Sequence, residues 1–255
     1  MTATPPPSPT PSKALELNRP RDLGALLTDS FSFYRRHFWK FLAVAFVVVV
    51  PVHAAVLGLG LGQFSGGYDS TPAPASTLVP GLTRLLVVSP LISVMMLDAL
   101  IAVAAGRKPG FGSTVQAGLD AFGRVFWPVL IAVLCMAATL VTVVVPLVLL
   151  VRWFFVPQIV VLEEKRGPDA LRASWELTRG FAWRVAGIVF VVQLLFYLAG
   201  ALAATPLAAL GRELDSEAVA LGATTLTEVL VAPPVGIFAA LLYYDLRSRK
   251  AALAR

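Results

Sequence analysis

Long apolar runs separated by short charged stretches dominate this chain. Six of them are candidates to cross a membrane: about Trp39–Gly60, Leu82–Ala105, Val125–Val145, Pro146–Leu162, Val185–Ala204 and Ala220–Leu242. Each holds roughly 20 residues, the length that a helix rising ~1.5 Å per residue needs to cross a hydrocarbon core roughly 30 Å thick. The third and fourth share one nearly unbroken apolar stretch, in which only Val145-Pro146 offers a turn. Proline lacks a backbone N–H and disfavours helix in the residue before it. A break at Pro146 therefore makes six spans, whereas one long kinked helix would make five. Pro233-Pro234 lies inside the sixth run. By the same chemistry it predicts a kink or break near mid-membrane.

The stretches between the runs carry a second periodicity. Aligning the chain on Trp39, Trp127 and Trp183 gives three copies of one pattern. They read LGALLTDSFSFYRRHFWKFLAVAF, FGSTVQAGLDAFGRVFWPVLIAVL and GPDALRASWELTRGFAWRVAGIVF. Each is an amphipathic segment, then an aromatic and arginine junction, then an apolar run. In the third copy Leu171, Trp175, Thr178 and Phe181 share one helical face, opposite Asp169, Arg172, Glu176 and Arg179. Segments of this kind are too charged to span yet carry one apolar stripe, which predicts helices lying in the interface plane. Indole and phenol rings at each junction suit the headgroup level. If all three copies start on one side, each outgoing span needs a returning one, and the plan is three helical hairpins. The fold class expected is thus an all-α polytopic membrane bundle with interfacial amphipathic helices on one side.

Composition fits this picture. Hydrophobic residues make up 57% of the 255 positions and charged ones 14%; soluble domains have about 45–50% and about 25%. Mean hydropathy is +0.78. The net charge of +6 would suggest nucleic acid in a soluble protein, but here the cations flank apolar runs. In the six-span plan all of the 21 Lys and Arg residues except Arg84, Arg152 and Arg212 fall on the side of the three repeats. The positive-inside rule makes that side, and both termini, cytoplasmic. Residues 1–18 form a Pro/Ser/Thr-rich tail with no apolar core of a signal peptide, 19–250 the membrane domain and 251–255 a short tail.

Chemistry is sparse. The sequence contains no Walker A motif, no G-x-S-x-G, no H-E-x-x-H and no C-x-x-C. Cys135 lies alone in an apolar run, and His37 and His53 cannot build a metal site by themselves. No cofactor is implied. Polar groups inside the spans are the better signal, because placing a charge there costs at least about 2–3 kcal/mol. These are Asp98, Arg152 and Glu228, with uncharged Gln193. Arg152, Arg84 and Glu228 are expected in the outer half, where an Arg–Glu pair could form. Asp98 is expected in the inner half, near Tyr243, Tyr244 and the inner arginines. Arg35, Arg36, Arg124, Arg179 and Arg184 at the junctions are the expected contacts for anionic headgroups.

Three stretches resemble a known family: RPRDLGALLTDSFSFYRRHFWKFL, RWFFVPQIVVLEEKRGPDALRASWELTRGFAWRVAGI and PPVGIFAALLYYDLRSRK. They are similar to the membrane domain named after glycerophosphoryl diester phosphodiesterase, over most of the chain after about Arg19. That domain is fused in some proteins to a catalytic barrel, for which this chain has no region. The resemblance implies a stand-alone membrane module of bacterial or archaeal type without phosphodiesterase activity. The expected function is therefore non-enzymatic: binding or organising lipids or partner membrane proteins in the cytoplasmic membrane. The alternative is a small-solute or lipid transporter with a polar site around Asp98, Arg152 and Glu228.

Overall fold

A computed structural model describes residue 17 and residues 20–58, 81–142, 144–214 and 217–253. Most of the expected Pro-rich tail, and the connection after the first span, lie outside the described residues. Among the described residues every regular element is helical. In chain order these are α1 (Leu23–Arg36), α2 (Phe38–Gly58), α3 (Ser89–Ala104), α4 (Phe111–Ala138), α5 (Val144–Arg152), α6 (Val156–Leu162), α7 (Gly167–Thr178), α8 (Ala182–Glu213) and α9 (Glu217–Leu253). Six stretches are long and apolar enough to cross a membrane: Phe38–Ala55, Gly81–Ala104, Phe111–Ala138, Val144–Leu162, Ala182–Pro206 and Thr225–Leu253. This chain is an all-α polytopic helical bundle, and a multi-pass membrane protein by the length and apolarity of these six.

Two helices form its centre. Of the second and sixth spans 56% is buried inside the protein, about twice the share of the other four. α3 and α9 therefore face protein on most sides, while the rest turn one side outward. Close approach rests on glycines. A Cβ on Gly236 of α9 would meet Met96 Cγ at 3.0 Å and the Ile92 carbonyl at 3.4 Å, and one on Gly118 of α4 would meet Met95 Cε at 2.4 Å. Adjacent methionines of α3 thus fill the spaces left by glycines on either side.

The repeats are realised unequally. In the third copy α7 ends at Thr178, Gly180 takes a left-handed φ of +87°, and α8 starts afresh. In the first copy only His37 separates α1 from α2. The second copy has no such break, and its amphipathic and apolar halves form one continuous helix, α4. The apolar stripes also meet protein. Leu26, Phe33 and Tyr34 of α1, and Ala170, Leu171 and Ala173 of α7, are buried in the core. α1 is pinned to α9 at both ends: the Arg21 N–H donates to Asp245 at 2.6 Å and the Tyr34 hydroxyl to the Leu230 carbonyl at 3.1 Å. Those two points on α9 lie about 22 Å apart at ~1.5 Å per residue. α1 therefore runs along α9, and Leu26 and Tyr34 of its stripe pack on the bundle while Phe31 stays exposed.

The proline readings need correction. The third span ends at Ala138, before Pro146, and a 3-10 turn, Leu140–Thr142, follows. There the Thr139 hydroxyl donates to the Cys135 carbonyl and the Thr142 hydroxyl to the Thr139 carbonyl. Threonine side chains thus compete for the backbone and end the helix. Pro146 then falls in the first turn of α5, where a missing N–H costs nothing. The count of six stands, but on the threonines. Pro233 and Pro234 do not break α9, which runs through them. The fourth span has a break that the sequence reading missed, at residues 153–155 between α5 and α6, just before Pro157. α8 continues to Glu213, nine residues past the expected end of the fifth run at Ala204.

Candidate functional site

The polar residues gather in clusters, and α9 supplies the central carboxylate of two. Glu228 and Asp245 sit about 26 Å apart on this one helix at ~1.5 Å per residue. Asp245 is fully buried and Glu228 partly so, and both pair with basic side chains from other elements.

At the first cluster Glu228 Oε2 lies 3.0 Å from His53 Nε2 of α2, and Oε1 lies 3.2 Å from Arg84 Nε. The arginine contact is an ion pair without hydrogen-bond geometry. His53 Nδ1 stands 2.9 Å from the Thr225 hydroxyl, one turn before Glu228. Arg84 opens a π-helical turn, Arg84–Val88, in which the Ser89 N–H donates to the Arg84 carbonyl five residues back. Pro90 follows and has no N–H to offer, so the wider turn leads the chain into α3. Of the two arginines that could pair with Glu228, Arg84 is the one that does. His53 belongs to the cluster as well.

At the second cluster Asp245 is fully buried. It accepts from the Arg21 N–H, from Arg249 Nε at 2.9 Å and from Arg184 Nη2 at 3.3 Å. Arg184 and Arg249 also donate to the Arg21 carbonyl, at 2.7 and 2.8 Å. The start of α1, the start of α8 and the end of α9 are thereby tied to one carboxylate. Sequence reasoning missed Asp245, since it follows Tyr243-Tyr244 at the edge of the sixth run and looked like an ordinary flanking charge. Arg184, expected at a lipid headgroup, is engaged here. Close by, Glu163 accepts from Tyr243 Oη at 2.9 Å and pairs with Lys165 at 2.9 Å. Burial alone would raise the Glu163 pKa. The bonds from Lys165 and Tyr243, with the Lys165 and Arg247 charges, outweigh burial and hold the carboxyl below its ordinary value.

Arg152 is not with Glu228. The fourth span breaks at its side chain, which turns to α7. The guanidinium carbon lies 4.8 Å from the centroid of the Trp175 ring, and Nη1 lies 3.5 Å from the Thr178 hydroxyl. The Ser174 hydroxyl donates to the Arg152 carbonyl at 2.7 Å. Beside it, Arg179, Gly180, Phe181, Lys250 and Leu253 line a groove of about 410 Å³. Asp98 meets neither an arginine nor Tyr243 or Tyr244; its partner is the Thr114 hydroxyl of α4, at 3.1 Å. Gln193 is exposed on α8. Arg35, Arg36, Arg124 and Arg179 are exposed. The three in-register tryptophans are exposed too, Trp39 by 78%, Trp127 by 63% and Trp183 by 91%.

Among the described residues no three His, Cys, Asp or Glu side chains gather as a metal site. Asp98, Arg152 and Glu228 lie in three separate places, so no single polar cavity joins them. An apolar groove of about 360 Å³ runs between α1 and α8, with Leu27, Phe31, Leu195 and Phe196 among its walls.

A family model described as "Domain of unknown function (DUF7847)" matches residues 76–246, more than half of the chain. The match takes in Glu228, Asp245, Arg152 and Arg179 and leaves out His53 and Lys250. No curated protein and no solved structure matches the chain.

Proposed function

The chain belongs to the family described as Domain of unknown function (DUF7847), and from its own geometry we propose that it is a non-enzymatic membrane protein that binds and organises anionic lipids at its basic face. The observation that carries this reading is the exposure of Trp39, Trp127 and Trp183 beside exposed Arg35, Arg36, Arg124 and Arg179. An indole with its apolar body outward and a cation one or two turns away matches the boundary between acyl chains and headgroups. Near an anionic surface each well-placed cation contributes about 1 kcal/mol. The positive-inside rule makes this face cytoplasmic, with both termini on the same side of the cytoplasmic membrane. The resemblance to the glycerophosphoryl diester phosphodiesterase membrane domain belongs to the same proposal. Transport through Asp98, Arg152 and Glu228 loses its main support, because these side chains occupy separate clusters.

Reconstitution of the full chain in phosphatidylcholine liposomes with increasing phosphatidylglycerol tests the reading. Thermal stability and bound phosphatidylglycerol should both rise with anionic content, and both gains should shrink in R35Q/R36Q/R124Q. Indifference of both to headgroup charge rules the reading out.

A further inference from the structure

We infer that the groove at the turn between α7 and α8 is a binding site for a phosphate group carrying two negative charges. The inference deepens the lipid reading, and rests on it only for placing this face against a membrane. Two cations line it and a third acts on them from behind. Arg179 and Lys250 line the groove. Arg152 comes from the end of α5, with its guanidinium carbon over the Trp175 ring, 4.8 Å from the centroid. Lys250 donates to the Glu176 carbonyl and feels the charges of both Arg179 and Arg152.

The local charge is uncompensated. Among the described residues no carboxylate pairs directly with Arg152, Arg179 or Lys250; Glu176 acts on Lys250 at longer range. Arg84, Arg184 and Arg249 differ, because each has a carboxylate within 3.3 Å. Three cations set against one carboxylate leave two charges, which a phosphate dianion would neutralise. Like charges this close repel unless an anion joins them. Arg152 Nε is moreover buried with no hydrogen-bond partner, a donor left over on a guanidinium placed over the Trp175 ring. A planar, fixed fork is the form in which arginine binds phosphate best. Gly180, at φ +87°, puts no side chain over the groove. Phe181 and Leu253 give it apolar walls for the carbon skeleton beyond the phosphate.

Two sources fit this chemistry: the headgroup of a monoester lipid such as phosphatidic acid, or a soluble phosphate. The test uses the full chain in phosphatidylcholine nanodiscs doped with phosphatidic acid, a monoester, or with phosphatidylglycerol, a diester. Bound lipid is read by native mass spectrometry, with and without inorganic phosphate. Phosphatidic acid should be retained at least about tenfold over phosphatidylglycerol, the order of one charge-assisted hydrogen bond. R179M/K250M should abolish that preference without lowering the melting temperature in pure phosphatidylcholine, and R35Q/R36Q should leave it intact. Competition by inorganic phosphate assigns the site to soluble phosphate as well; lack of competition assigns it to the lipid. Equal retention of the two lipids with no binding of inorganic phosphate, or a preference that survives R179M/K250M, overturns the inference. Inorganic phosphate bound by the wild type and lost in R179M/K250M, with neither anionic lipid preferred over phosphatidylcholine, would keep the site and sink the lipid reading instead.

Discussion

Tyr34 supplies a hydroxyl where a backbone donor is missing. In a regular helix the Leu230 carbonyl accepts from the N–H of residue 234, but residue 234 is proline. The Tyr34 hydroxyl donates to that carbonyl instead. This is one reason α9 can carry Pro233-Pro234 without breaking, and it could not be read from a sequence in which the two sites are 196 residues apart. Burial pushes the Tyr34 pKa up to about 12, so the hydroxyl keeps its proton. Tyr34→Phe should cost about 1 kcal/mol. In a Pro234→Ala background the helix recovers its own donor, and the same change should cost close to nothing. Thermal unfolding of the four proteins in detergent measures the coupling; equal costs in both backgrounds would refute it. His37, at the joint of α1 and α2, provides a second residue-level outcome. Burial, then Arg36 and Lys40, lower its pKa below 6.5. The unfolded chain therefore takes up this proton first as pH falls. Stability contributed by neutral His37 is complete above about pH 6.5 and is lost below it, down through the lowered value. The comparison that isolates this group is wild type against His37→Asn. The variant should show the flatter melting temperature between pH 7 and 5.

At the scale of elements, most of the architecture was legible. Six apolar runs became six spans, with ends shifted by as many as 14 residues at the start of the third, because span length and apolarity are set by the bilayer and are written locally in the chain. What was not legible depended on partners. The amphipathic stripes of α1 and α7 looked lipid-facing, since a sequence shows that a face is apolar but not what covers it. The turn after the third span was placed on Pro146, a strong breaker, while Thr139 and Thr142 ended the helix first through their own hydroxyls. Contacts between elements are set as much by what is absent. Gly236→Ala should destabilise the protein by about 1–3 kcal/mol, because its Cβ would press on Met96 and the Ile92 carbonyl. Gly187→Ala, with open space around it, should be neutral or slightly stabilising. Equal melting temperatures for the two variants would mean that α3 and α9 do not pack this closely.

For the whole molecule, α9 is the organising axis. Its two carboxylates, part-buried Glu228 and fully buried Asp245, lie about 26 Å apart along the helix and bind α2 and the turn before α3 at one level, and α1 and α8 at the other. The candidate site was half legible. Arg152 and Arg179 were singled out as a misplaced charge and a junction charge, yet their meeting with Lys250 required the break in the fourth span and the left-handed turn at Gly180. The central claim is that the basic face of this bundle holds anionic lipid. The most direct measurement is the composition of lipid that stays with the full chain after gentle solubilisation from its membrane, determined by mass spectrometry. Enrichment of anionic over zwitterionic lipid relative to the bulk membrane is the predicted result. A bound fraction with the bulk membrane's own ratio would contradict the account.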